Sequence, residues 1–374
     1  MTLQQQVVRT EPIRQIASRI VNECLRVKED EQVNVYSFQH TTDYAGAIAL
    51  EIEKAGGVSN MILDTDEFFW GYMSEDIPES QYARKQKAYL SLLQDTNAQI
   101  DLDGPADPSG FTKVSPQRMS KMMESEQEIG ERVRELKIRD LSMPIGLITQ
   151  ERAKTYGFDY NRWRSSFSNA SNVDHKRMSV LGGTIASRLE KAKQVRLTAS
   201  NGTDLRFNLA GRPVHVHDGI IDDKDIANDT LEESLPSGTV EVAPDADSVI
   251  GRINFDQPTA LMGKMLQGLS WEFSNGHLTS SNATGNLDVF KRLYDQASGD
   301  KDRLANLTIG LNPNIELIGF FNDRTALGTV SIGIGGNKSL GGTNDAQYGH
   351  EQLIRKPTLE VDGQKLVVEG RIQA

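Results

Sequence analysis

Four short stretches place chemically capable side chains at spacings that could serve one site. His350 stands in YGHEQ (348–352), where an imidazole can be a general base, a metal ligand or a satisfied structural group. Ser331 puts a hydroxyl into the apolar, glycine-rich run GTVSIGIG (328–335). Thr239 and Glu241 lie in PSGTVEVAP (236–244), and alternate residues of a strand share a face. A glutamate in so apolar a strand is either solvent-facing or functional. His215 and His217, followed by Asp218, could likewise both reach one metal ion from a strand, although Asp218–Gly219 also reads simply as a turn.

The elements that must position these groups are written in the periodicity around them. Ile13, Ile16, Ile20, Cys24 and Leu25 fall on one helical face of residues 11–28. QVNVYSF (32–38) reads as a strand, TTDYAGAIALEIEKAGG (41–57) as a helix with both ends signalled, and VSNMILDTD (58–66) as the next strand. Strand, helix, strand at this spacing is a βαβ unit and implies a parallel sheet. A helix over 83–96, a strand entering a loop over 98–108, a charged helix over 115–138 and a short strand MPIGLIT (143–149) follow. Asp64, Asp66 and Glu67 beside Phe68, Phe69 and Trp70 read as a loop anchored by buried aromatics, with a ligand site as the alternative.

The pattern changes near residue 180. After a helix over 174–192, QVRLTASNGTDLRFNLAGRPVHVHDG alternates like strands around the hairpin signal Asn201–Gly202. Short alternating segments then run to Ala374, broken by a helix over 287–297. The expected fold is an α/β N-terminal domain (1–180) with a mostly parallel sheet, followed by a β-rich α+β C-terminal domain (181–374) carrying the active site.

Composition narrows the function classes. The 374 residues are 37% apolar and 25% charged, values of an ordinary globular protein with a core. A net charge of −11 and scattered basic residues argue against nucleic acid or an anionic membrane as partner. No apolar run approaches the ~18 residues of a membrane span, and the first residues lack the apolar core of a signal peptide. Cys24 is the only cysteine, so the chain can form no internal disulfide; it reads as a core residue. A cytoplasmic protein is expected.

The C-terminal stretch Asn306–Gly363 carries alternation, a run of glycines and then His350. Its Gly-rich loop (335–342) suggests a small or planar ligand passing close to backbone. With NGTDLRFNLAGR (201–212), PSGTVEVAP, IGLNPNI (309–315), LGTVSIGIG (327–335) and GGTNDAQYGH with LEVDG (341–363), the chain resembles the dinuclear metallo-aminopeptidases of the aminopeptidase T and aminopeptidase S family. The resemblance implies the two-part fold above, a homodimer and a small-molecule or short-peptide substrate. It also implies a metal-ligand set that this chain does not keep. Thr239 stands where the family has a glutamate, Asn306 where it has a second, and Ser331 where it has a histidine. A closing His-x-Asp pair is met by His350 with Gln352, so His350 alone survives. Thr, Asn, Ser and Gln cannot balance the charge of two divalent ions. The 2,5-dihydroxypyridine dioxygenases resemble the chain as a branch of the same fold, with one iron held by two histidines and an aspartate; Asn306 and Gln352 depart from that pattern too.

Three readings follow. In the first, the resemblance brings Ser331, His350 and Glu241 together as nucleophile, base and orienting carboxylate of a metal-free hydrolase of a small amide, peptide or ester, with Asn306, Gln352 and Thr239 binding substrate. No cofactor is then required. In the second, His350, Glu241, His215 and His217 retain a divalent ion (Zn, Mn, Co or Fe) for an aminopeptidase or ring-cleaving reaction. In the third, the scaffold binds a small molecule without turning it over.

Overall fold

A computed structural model describes residues 12–82, 84, 86–102 and 104–373. The chain divides into two compact units, one of Met1–Tyr160 with Gly219–Leu235 and one of Asn161–Asp218 with Pro236–Ala374. The fold class is the one expected: a parallel sheet with helices first, a β-rich antiparallel part second. Among the described residues no helix is long and apolar enough to cross a membrane.

In the first unit, β1 (Gln32–Phe38), β2 (Val58–Asp64), β3 (Ala98–Asp101) and β4 (Arg139–Ser142) pair in parallel in the order β2-β1-β3-β4. Helix Thr42–Lys54 makes the first crossover and buries Ala45, Ile48, Ala49 and Ile52, the i, i+3, i+4, i+7 set of its sequence. The opening helix stops earlier than its periodicity suggests. It ends in a π turn over Ile20–Cys24, closed by Leu25 N–H to Ile20 O at 2.9 Å. Cys24 is fully buried, as expected of a core residue. The fourth strand is Arg139–Ser142 rather than MPIGLIT: Pro144 has no N–H to give a sheet, and Ile145–Leu147 tighten into a 3₁₀ turn. The acidic–aromatic segment is a helix, Asp66–Tyr72, capped by the Thr65 side chain on Phe68 N–H (3.1 Å). None of its residues is buried, and Phe68 is 63% exposed.

One face of this sheet carries a polar row in which Asn34 and Gln99 are buried. Asn34, Gln99 and Asp140 align across β1, β3 and β4. Burial raises the Asp140 carboxyl to about 7, with Glu232 and Asp101 adding to the rise and Gln99 and Arg134 opposing it. A carboxyl raised in the fold contributes stability that is complete below its unfolded pKa near 3.9 and lost as pH climbs through 7. Denaturant unfolding at pH 5 and pH 8 should therefore show Asp140→Asn removing a loss on the order of 3 kcal/mol that the parent suffers on going alkaline. Parallel curves for parent and variant would remove Asp140 from this role.

In the second unit, helix Tyr160–Ala170 is followed by helix His175–Leu189, N-capped by the Asp174 side chain on Arg177 N–H (3.1 Å). β5 (Gln194–Thr198) and β6 (Asp204–His217) form the hairpin signalled by Asn201–Gly202, with Gly202 at φ +90°. The chain then leaves for β7 (Glu232–Ser234), which adds in parallel beside β4 in the first unit. It returns as the 16-residue β8 (Thr239–Asn254). After β9 (Thr259–Leu261) and β10 (Lys264–Leu266) come β11 (Ser270–Ser274) and β12 (His277–Asn282), helix Leu287–Tyr294, and then β13 (Leu304–Gly310), β14 (Val330–Gly335) and β15 (Gly349–Ile354). Beyond them lie β16 (Thr358–Val361), β17 (Gln364–Val368) and β18 (Arg371–Ile372). The large sheet runs β15-β14-β13-β8-β6-β5-β16-β17-β18, and β11 also pairs with β8. Val240, Val242, Leu307, Ile309, Val330, Ile332 and Ile334 face its core.

Candidate active site on the antiparallel sheet

Residues directly opposite in an antiparallel ladder share a face. The register therefore decides which candidate side chains can meet. One row across the sheet reads His215 (β6), Glu241 (β8), Thr308 (β13), Ser331 (β14) and Leu353 (β15). The adjoining rows of the same face hold His217 with Thr239, and Asn306 with Gly333 and Glu351. The alternate residues of β8, β13 and β14 are valines, leucines and isoleucines of the core, so this polar face is there the reverse of an apolar one.

Its centre is an ion-pair bridge. Arg324 Nη1 lies 3.1 Å from Glu241 Oε1 and 3.0 Å from Glu351 Oε2, spanning β13 and β14, which separate the two carboxylates in the sheet. Thr239 Oγ1 donates to Glu241 Oε1 at 3.0 Å. Burial alone would raise the Glu241 carboxyl, but Arg324, then His217, Thr239 and His215, outweigh it and hold it below the usual range. Glu241 in turn, helped by Glu351, raises the Arg324 guanidinium above its ordinary value.

Arg324 is delivered by a 3₁₀ turn, Phe321–Thr325. Asp323 fixes that turn by accepting Gly319 N–H (2.7 Å), Ile318 N–H (3.0 Å) and Gln257 Nε2–H (2.9 Å). Burial nevertheless raises the Asp323 carboxyl to about 6.

Around the bridge, several polar atoms are buried without partners. Ser331 Oγ is one, on a residue only 1% exposed; Glu351 Oε1 and His215 Nε2 are others. His215 is stacked against His217 (centroids 6.4 Å apart, planes at 15°), and burial and His217 lower its pKa, against Glu241 and a backbone bond with Leu340. Asn306 Nδ2 donates to Thr308 Oγ1 at 2.8 Å, while its Oδ1 lies over Gly333, where any Cβ would sit 1.9 Å away.

The sheet thus gathers Ser331, Glu241, Thr239 and Asn306. It does not bring His350 or Gln352 to them. Those two pair with Ile334 and Ile332, which puts them on the other face. There His350 packs edge-on against Phe290 (5.2 Å) and Trp271 (6.0 Å). Burial lowers its pKa to about 4, and its Nε2 has no partner. Gln352 Nε2 donates to the Gln257 carbonyl. Residues not anticipated from sequence are Arg324, Glu351 and Thr308. The signal for Glu351 was its parity with Ser331 once β14 and β15 pair; Arg324, on an irregular turn, offered none.

The glycine-rich loop is filled by its own chain. A Cβ on Gly342 would meet Asn337 Oδ1 at 2.0 Å, and one on Gly336 would meet Ala346 O at 2.3 Å.

A pair of divalent ions does not fit this donor set. Both carboxylates already share a guanidinium, and Thr308 and Ser331 between them are neutral. Among the described residues no group of three or more His, Cys, Asp or Glu side chains is placed to hold a metal ion.

Comparison with known proteins agrees on the scaffold. Residues 171–325 match the family model described as thermophilic metalloprotease (M29). The chain is similar over 97% of its length to 99% of wild-type AmpT from Thermus thermophilus, at TM-score 0.77 and 16% identity. It is similar over 97% of both chains to 2,5-dihydroxypyridine dioxygenase from Pseudomonas putida KT2440, at TM-score 0.64 and 13% identity. No curated protein matches the chain. The resemblance to the aminopeptidase T type that the sequence motifs carry is borne out.

Proposed function

We propose that the chain is an aminopeptidase-like hydrolase of a small amide, short peptide or ester that works without a two-metal centre. The observation that carries this reading is the polar face itself, with Ser331 and Glu351 each holding a buried, unpartnered oxygen beside the Glu241–Arg324–Glu351 bridge. Glu351 pairs with Gly333, two residues from Ser331, so the two side chains are diagonal neighbours, at a spacing of about 7–8 Å that long side chains span. In this mechanism Ser331 Oγ adds to the carbonyl carbon and its proton passes to Glu351 Oε1. The tetrahedral intermediate then expels the amine or alkoxide, which takes that proton, and water cleaves the acyl-serine in the same way. Glu241 holds Arg324, and Thr239 holds Glu241. Asn306 contributes to the substrate pocket, and the active form is a cytoplasmic homodimer.

The test is a screen of dipeptides, amino-acid amides and small esters with and without chelator. Turnover should survive chelation and fall at least ~10³-fold in Ser331→Ala. Unchanged turnover in that variant would remove the nucleophile. A second reading rests on His215 and His217, stacked on the face that holds Glu241: a single divalent ion retained there. Activity lost to chelator and restored by Zn, Mn, Co or Fe would favour it. Ligand-induced stabilisation with no turnover at all would favour a binding protein.

A further inference from the structure

We infer that Arg324 is the permanent cation of this site, compensating Glu241 and Glu351 in place of a divalent ion and presenting its remaining N–H groups to a substrate's carbonyl oxygen. The inference deepens the hydrolase reading and rests on it for the substrate, but not for the electrostatics.

Two carboxylates cannot be gathered on a largely buried face without a counter-charge. Glu241 is 9% exposed at its side chain and Glu351 20%, whereas Arg324 is 35% exposed. Arg324 is therefore held by both carboxylates while part of its side chain stays exposed. One nitrogen, Nη1, serves both carboxylates, which leaves Nη2 and Nε without a partner among the described residues. That edge is a rigid pair of donors. The second, independent sign of a ligand is Ser331 Oγ, buried and unpartnered on the strands that the bridge spans. An oxyanion formed at a carbonyl attacked by Ser331 needs positively charged or N–H donors already in place, and Arg324 supplies both without reorganising, because its position is set by two carboxylates and by the Asp323-braced turn. The same arrangement opposes a second cation between Glu241 and Glu351, since the guanidinium already lies against Oε1 of the one and Oε2 of the other.

The experiment replaces Arg324 and reads metal binding and stability separately from turnover. In Arg324→Gln the two glutamates lose their counter-charge. Titration with Mn²⁺ or Zn²⁺ should then show one bound ion per chain and a rise in Tm of several degrees, whereas the parent shows neither. Arg324→Lys keeps the charge and serves if the glutamine variant does not fold: it should remain indifferent to the same ions while kcat falls by about 10²-fold, because the planar pair of donors is gone. A parent protein that binds one divalent ion per chain with a Tm rise overturns the inference. So does an Arg324→Gln protein that ignores the ions, or an Arg324→Lys protein with unaltered kcat. An inactive parent with the expected metal behaviour would sink only the hydrolase reading.

Discussion

Gly335→Ala is expected to cost the fold about 3 kcal/mol or more, while Gly349→Ala, directly opposite it in the β14–β15 ladder, is expected to cost less than about 1 kcal/mol. Gly335 sits at φ +107°, a conformation that L side chains rarely adopt. Its missing side chain also makes room for the backbone, since a Cβ there would lie 1.9 Å from Tyr348 O. That carbonyl accepts Gly336 N–H at 2.9 Å, and Asn344 Nδ2 donates to Gly335 O at 3.0 Å. Displacing it therefore breaks the closure of the loop that returns the chain to β15, and with it the placement of Glu351. At Gly349 the nearest atom to a Cβ is Ile334 O at 4.0 Å, an ordinary contact. Thermal unfolding of the two variants should differ by roughly 3 °C or more. Equal shifts would mean that the close approach at Gly335 is not what holds the loop.

That pair shows what was and was not legible in the chain. The crowding of glycines announced close approaches, but not what approaches. Here it is Tyr348's carbonyl and the Asn337 side chain rather than a ligand. The βαβ start was legible because its signals are local: an amphipathic helix with both ends signalled between two short strand-like runs. The hairpin at Asn201–Gly202 was legible for the same reason. The fourth strand was misplaced because MPIGLIT is the more apolar segment, yet Pro144 cannot join a ladder and RDLS can, with Leu141 fully buried.

The site was half legible. Thr239 and Glu241 share a face by period two alone, and so do His215 and His217. Joining different strands needs their register, which side-chain periodicity does not fix for β15. In GHEQLI every second residue is polar or apolar by small margins, so His350 with Gln352 and Glu351 with Leu353 are equally good faces from sequence. Pairing with β14 selects the second set for the Ser331 side. Arg324 lies on a turn where no period applies, and only the folded sheet shows that it closes the charge balance of Glu241 and Glu351.

His350→Phe follows from that register and separates the two arrangements. In the fold the ring is packed against Phe290 and Trp271 with Nε2 unpartnered, and burial lowers its pKa to about 4 from an ordinary value near 6.5. A histidine whose pKa falls on folding is favoured in its neutral form. It costs nothing above pH 6.5, and stability is lost as pH falls from there toward 4, where the folded form also takes the proton. The full loss is on the order of 3 kcal/mol. Phenylalanine fills a similar volume, meets the same two rings edge-on and carries no proton. The variant should match or exceed the parent in stability at pH 7, lose the His350 share of the acid-induced fall between pH 6.5 and 4, and hydrolyse substrate at the parental rate. Loss of turnover with stability intact would return His350 to the chemistry and require β15 to pair with the opposite parity. Asp140→Asn should flatten the other limb, above pH 4, so the double variant should show the flattest stability profile of the set.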